Sequence, residues 1–328
     1  MRPFDQRLEE ARALSWHEFG KRIVFYLPGM FRCNGAAGCY PAVSVTGAHC
    51  ALGCEHCKSA LLKPMIAADS PETLLQKGLA LASAGNVGML VSGGCDARGC
   101  LPWPRFLPAL KLLKERTGLH ISVHGGFLDA DTAHGLKNAG VDQVLLDVIG
   151  SDETYERILH IQNGLARLQR TLDVLAAVDM PVVPHVICGL HNGQMLGEAG
   201  ALDMLAPLRP RLLVLLSFMG LPDTPMRAVP PPPAEAVADI LCLARLRLPK
   251  TEISLGCARP RGDSLLETLA VDGGVNRLAL PSEEARQRAA HYGLTIEYSK
   301  TCCSVTSGPS EASWLTSDEP ARAVTVLR

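Results

Sequence analysis

Three cysteines, Cys50, Cys54 and Cys57, stand in a C-x3-C-x2-C run (HCALGCEHC, residues 49–57) directly after a short strand-like segment, Pro41 to Thr46. Thiolates at that spacing fit three corners of a [4Fe–4S] cluster. Such clusters are normally held by four cysteines, so a three-cysteine motif leaves one iron free for substrate. Zinc is the competing reading. Zinc sites usually take four ligands from paired C-x2-4-C elements, and no second close pair of the C-x2-C type follows in this chain. The spacing, directly after a strand and near the start of a barrel-sized chain, favours the open cluster over chance clustering among twelve cysteines.

A chain of 328 residues suits one large domain with small extensions. With 47% hydrophobic residues and a net charge of −1, it can bury a real core. No Lys/Arg cluster points to nucleic acid or an anionic membrane. No apolar run reaches the ~20 residues of a membrane span. Residues Met1 to Gly20 are charged and helix-patterned, without the apolar stretch of a signal peptide. A cytoplasmic location is therefore expected, where reduced cysteines read as metal ligands or catalytic groups rather than disulfides.

Short β-branched and leucine-rich runs alternate with amphipathic, helix-length segments, the pattern of βα units on a parallel sheet. Candidate strands are Ala42–Thr46, Val87–Ser92, His120–His124, Val144–Val148, Val182–Cys188, Leu212–Phe218, Glu252–Leu255 and Val275–Leu280. Eight of them allow a complete (βα)8 barrel. A helix is signalled at Ser70-Pro71-Glu72, where Ser caps, Pro takes the first turn and Glu meets the positive dipole end. Ile23–Leu27 reads as an extra strand before the barrel. Pro230 to Pro233 read as a stiff spacer, and Ser307 to Glu319 as a polar, mobile tail. The chain divides into an N-terminal extension (1–40), a barrel (41–295) and a C-terminal extension (296–328).

In parallel barrels chemistry sits at the C-terminal ends of the strands. The second strand ends Ser92-Gly93-Gly94-Cys95-Asp96, and the glycines permit close backbone approach. The third ends at His124 and the fourth at Asp147, a carboxylate able to accept two O–H bonds. The fifth ends at Cys188, and the seventh runs into Cys257-Ala258-Arg259, where the Arg either holds a substrate carboxylate or pairs at the surface. Cys242 falls in the apolar pattern of a helix and reads as core. Four cysteines flank the barrel: Cys33 and Cys39 before it, Cys302 and Cys303 after it. The ends of a closed barrel can meet, so this set could assemble a second Fe–S cluster. Buried free thiols are common, which is the alternative for any one of them.

Residues 20–29 (GKRIVFYLPG) and 40–57 (YPAVSVTGAHCALGCEHC), with SGGCD at 92–96 and DVIGSDET at 147–154, resemble the radical S-adenosylmethionine (SAM) proteins related to biotin synthase. Within that group they look most like subunits of the two-component lipoyl synthase, and the resemblance runs from about residue 20 to 305. It implies a TIM-type barrel of (βα)6 to (βα)8. It also implies an open iron, on the Cys50/Cys54/Cys57 cluster, that chelates SAM's methionine, and SAM cleavage to a 5′-deoxyadenosyl radical. Ser92-Gly93-Gly94 takes the place of the family's Gly-Gly-Glu segment, which pairs with SAM's amino group. Asp147 suits a ribose hydroxyl, and His124 and Cys188 are further cofactor-side candidates. The sulfur-donating cluster of biotin synthase is not reproduced whole, because His124 stands at its strand-three position. Cys33, Cys39 and Cys302-Cys303-Ser304 are laid out like the auxiliary site of conventional lipoyl synthase, without its motifs.

Three functions compete. The first is a lipoyl synthase subunit that inserts sulfur at C6 and/or C8 of an octanoyl chain on a lipoyl-carrier protein, with a second [4Fe–4S] cluster as sulfur source. It would work with a second radical SAM subunit and an electron donor such as ferredoxin or flavodoxin. The second is a single-cluster mutase or cofactor-maturation enzyme of the same branch. The third is an Fe–S electron carrier or zinc-stabilised binding protein.

Overall fold

A computed structural model describes residues 3–33, 35–262, 264–305 and 325–326. The tail expected at Ser307 to Glu319 lies outside these residues. The strands, in chain order, are β1 (Arg22–Tyr26), β2 (Phe31–Cys33), β3 (Ala36–Ala37), β4 (Ala42–Ser44), β5 (Ile66–Ala67), β6 (Gly88–Ser92) and β7 (His120–His124). There follow β8 (Gln143–Asp147), β9 (Val182–Cys188), β10 (Leu212–Ser217), β11 (Glu252–Leu255), β12 (Arg277–Ala279), β13 (Thr295–Ser299) and β14 (Thr325–Val326). Eleven of them form one sheet in the order β13-β1-β12-β11-β10-β9-β8-β7-β6-β4-β5, and every neighbouring pair is parallel. The remaining three, β14, β2 and β3, pair antiparallel.

The eight βα strands β4 and β6 to β12 are consecutive in the sheet, as expected of a radical SAM TIM-type fold. β4 and β12 do not pair with each other. Instead β1 and β13 extend the sheet beyond β12, and the sheet curls until Cys39 N–H donates to Lys300 O at 2.8 Å. That bond sets the C-terminal end of β13 against the segment entering β4, a stagger that closing a tilted-strand sheet requires.

Side-chain parity sorts each strand into two layers. Val144, Leu146, Val186, Leu213 and Leu215 pack outward into the sheet–helix core. Their alternates Leu145, Val183, Val214 and Ala279 join Val24, Tyr26 and Cys303 in the lumen. Helices cover the outer face. Pro71–Ser83 is capped by Ser70 Oγ accepting from Thr73 N–H at 3.1 Å, as the sequence signals. Trp103–Arg116 carries Pro104 in its first turn, where a missing N–H costs the helix nothing. Trp103 is fully buried and ties that helix to β7 through Nε1–H to Gly125 O at 2.8 Å.

Past β13 the chain turns inward and seals the N-terminal mouth of the lumen. Gln143 Nε2 donates to Ser304 O at 2.8 Å, and an Arg277 guanidinium N–H to Val305 O at 2.5 Å. Tyr40 Oη meets Ser122 Oγ at 2.6 Å and His120 Nδ1 at 2.8 Å, which completes a polar floor.

Candidate active site

The cysteine loop follows β4 and is tied down at three places. Gly94, two residues beyond β6, donates its N–H to Thr46 Oγ1 at 2.6 Å, and Thr46 Oγ1–H donates to His49 O at 2.9 Å. A Cβ on Gly94 would lie 1.9 Å from His49 O and 2.5 Å from Cys50 Cβ, so only glycine admits this approach. Ala51 N–H bonds Cys95 O and Glu55 N–H bonds Ile158 O, both at 2.8 Å. Glu55 also receives Lys58 Nζ at 3.1 Å and His160 Nε2 at 2.9 Å, which fixes the end of the loop.

Within this frame Cys54, His56 and Cys57 bring ligand atoms within 4.8 Å of one another. Cys54 and Cys57 share a hydrogen bond that lowers Cys57; burial opposes the shift, and His56 assists it. Cys50 is close enough to raise both Cys54 and Cys95. All twelve cysteines are free thiols. Three unpaired thiols on a pinned loop, with a buried and unpartnered His56 Nδ1 beside them, are a soft donor set that fits an iron–sulfur cluster.

Below the loop, three ionisable side chains face the lumen from adjacent strands. His124 Nε2 stands 3.5 Å from Asp147 Oδ1, and the His124 and His185 rings meet edge to face at 6.2 Å. Burial would raise the Asp147 carboxyl, yet His124, His185 and His56 hold it down at about 2. Burial likewise opposes the His124 imidazolium, but Asp147 raises its pKa overall. His185 is pushed down to about 4, chiefly by burial.

Cys188 does not join this group. It sits one residue off the inward parity of β9, fully buried among sheet–helix core side chains, where burial raises its thiol well above the ordinary range. Ser92 is buried at the end of β6, beside Gly93 and Gly94. Arg259 is neither at the surface nor open to a substrate: it is fully buried, bonded to Glu267 Oε1 at 2.6 Å and to three backbone carbonyls.

The flanking cysteines come together only in part. Cys303 lies in the lumen with its thiol hydrogen-bonded to both Cys302 and Cys257, and Cys302 Sγ meets Ser304 Oγ at 2.9 Å. The Cys303 contact lowers Cys257 against burial, with Arg261 and Arg259 assisting. Cys33 is buried with Leu27 and Leu280, a patch that Cys257 also touches. Cys39 Sγ lies 3.5 Å from Lys300 O. The N- and C-terminal flanks therefore meet, but the thiol joined to the Cys302–Cys303 pair is Cys257. The sequence marks Cys257, with Cys95 and Cys188, as a strand-end cysteine able to line the barrel interior, but does not group it with Cys302 and Cys303, and it does not single out His185 for the site. Strand parity carried the signal for His185, which alternates with Val183; for Cys257, only the tertiary fold reveals its neighbours.

The Radical SAM superfamily profile matches residues 44–197. Biotin synthase of Halorhodospira halophila is 27% identical over 208 residues, 58% of this chain and 62% of that protein. Biotin synthase of Polaromonas naphthalenivorans is 28% identical over 201 residues, 57% of each chain. The chain thus spans about three fifths of the length of these curated relatives. Among solved structures, methylornithine synthase superposes with a TM-score of 0.62 at 16% identity, covering 89% of both chains. The FeFe-hydrogenase maturase HydG from Carboxydothermus hydrogenoformans gives 0.61 at 17% identity, over 89% of this chain and 72% of that one. These two likenesses concern the fold.

Proposed function

Since residues 44–197 place this chain in the radical SAM superfamily, with biotin synthases among its relatives, we propose that it is a sulfur-inserting radical SAM enzyme, most like one subunit of the two-component lipoyl synthase. The observation that supports sulfur insertion is the meeting of Cys257 with Cys302 and Cys303 at the aliphatic lumen. A thiolate group there can hold a second [4Fe–4S] cluster as sulfur source, with Cys33 and Cys39 at its flank.

Cys50, Cys54 and Cys57 would hold the cluster, which with SAM bound would supply one-electron reduction and, through it, hydrogen-abstracting radical chemistry. The chain's own residues do the rest. Thr46 and Gly94 hold the loop that carries Cys50, and Ser92, Gly93 and Gly94 offer backbone to the methionine end of SAM. Asp147, ionised, accepts ribose hydroxyls. Leu90, Leu145, Val214 and Leu216 line the lumen with aliphatic surface suited to an octanoyl chain and hostile to water. The substrate in this reading is an octanoylated lipoyl-carrier protein, sulfurated at C6 and/or C8. A second radical SAM subunit shares the work, and ferredoxin or flavodoxin supplies electrons. Twelve free cysteines suit the reducing cytoplasm, and no helix among the described residues is long and apolar enough to cross a membrane.

The test is incubation of reconstituted protein with SAM, reductant and an octanoyl-lysine peptide of the carrier. Thiol-bearing peptide and 5′-deoxyadenosine should appear together. 5′-Deoxyadenosine without sulfurated product would move the assignment to a mutase or maturation enzyme.

A further inference from the structure

His185 is 9% exposed, and its Nδ1 lies 3.0 Å from Val183 O. A carbonyl only accepts, so Nδ1 carries the proton, and in the neutral ring Nε2 is left as a lone-pair acceptor. Among the described residues Nε2 has no hydrogen-bond partner. Across from it His124 rests Nε2 near Asp147 Oδ1 and leaves Nδ1 unpartnered. The His124 and Asp147 side chains remain 33% and 37% exposed, so the layer is reachable from the lumen. Here an acceptor on a largely buried ring and a charge-supported donor stand side by side at the lumen, and neither is consumed by the fold.

The chemistry of the layer narrows its ligand. An anion would meet the Asp147 carboxylate, and an ammonium group would meet the imidazolium that Asp147 favours on His124. A metal ion is not favoured either: in the described residues the ligand atoms that converge within 4.8 Å are those of Cys54, His56 and Cys57, not of this trio. What remains is a neutral group with one donor and one acceptor. We infer that His124 and His185 clamp the secondary amide that joins the acyl chain to its lysine: His185 Nε2 accepts the amide N–H, and His124 donates to the amide oxygen. This inference rests on the acyl-lysine reading above. With the amide held at β7 and β9, the acyl chain runs over Leu145 and Val214 towards Cys257, Cys302 and Cys303 on the β1, β11 and β12 side.

The full chain is titrated calorimetrically, without reductant, with two carrier peptides. One bears octanoyl-lysine, and in the other an oxygen replaces the lysine Nζ to give the octanoyl ester. The ester lacks the N–H and leaves the His185 Nε2 acceptor unpaired beneath the bound chain, so wild type should bind it about 10- to 100-fold more weakly. In His185→Leu the amide should lose that advantage, with the two peptides within roughly twofold of each other. Equal affinity of the wild type for both peptides, or binding of neither, overturns the clamp without relying on the variant. Amide-selective binding with no sulfurated product would leave the clamp standing and remove the sulfur-insertion reading instead.

Discussion

His185 shows how much one side chain's surroundings decide at the scale of the residue. An imidazole ordinarily gains its proton near pH 6.5, but burial and the neighbouring His124 keep this one neutral down to about 4, with Asp147 only partly opposing them. The unfolded chain therefore takes up a proton below 6.5 that the native chain refuses. Stability falls as pH drops from about 6.5 towards 4 and levels off beneath that, by on the order of 3 kcal/mol across the window. His185→Leu removes this term. Melting temperatures at pH 7.5 and pH 5 should therefore diverge more for wild type than for the variant, and parallel losses in the two proteins would refute the assignment. His124, raised by Asp147, works in the opposite direction above pH 6.5 and is common to both.

At the scale of the element, the site is a docking problem between the end of β6 and the loop after β4. The two meet backbone to backbone at Gly94, where the obstacle to any Cβ is His49 O rather than a side chain that could swing away. Gly94→Ala must push the cysteine loop off β6. The expected cost is about 1–3 kcal/mol, typical of overpacking, together with weakened SAM binding by the reconstituted protein. Urea unfolding and a SAM titration check both, and an unchanged pair of values would contradict the docking. Elements are also where the sequence reads best. His120–His124, Val182–Cys188 and Glu252–Leu255 are strands with those bounds, because β-branched runs between polar turns leave little choice. What stays hidden is the face. Cys188 ends a strand as surely as His124 and Asp147 do, yet parity turns it into the helix layer. Arg259 lies on a loop that looks exposed and is wholly buried by Glu267 and three carbonyls. Neither outcome is written in local pattern; each depends on which neighbour the fold supplies.

At the scale of the whole molecule, one feature links fold and chemistry. The chain leaves the barrel along β13 and folds back into the lumen, held by Gln143 and Arg277, and this return carries Cys302 and Cys303 to Cys257. Spacing alone marks out the cysteine loop, and the approach of the two flanks, expected of a barrel's ends, is made between Cys39 N–H and Lys300 O. Spacing does not reveal the partner that completes the second thiol group. Cys257 is about 45 residues away in sequence and becomes a neighbour only through the curl of an eleven-stranded sheet. If one barrel holds two separate thiolate centres, iron and sulfide counted after anaerobic reconstitution of a Cys50→Ala/Cys54→Ala/Cys57→Ala variant report the second centre by itself. About four irons per chain should remain, given a cysteine-held four-iron unit, and they should disappear when Cys257, Cys302 and Cys303 are replaced as well. Loss of essentially all iron from the first variant would contradict the account and leave a single SAM-binding cluster.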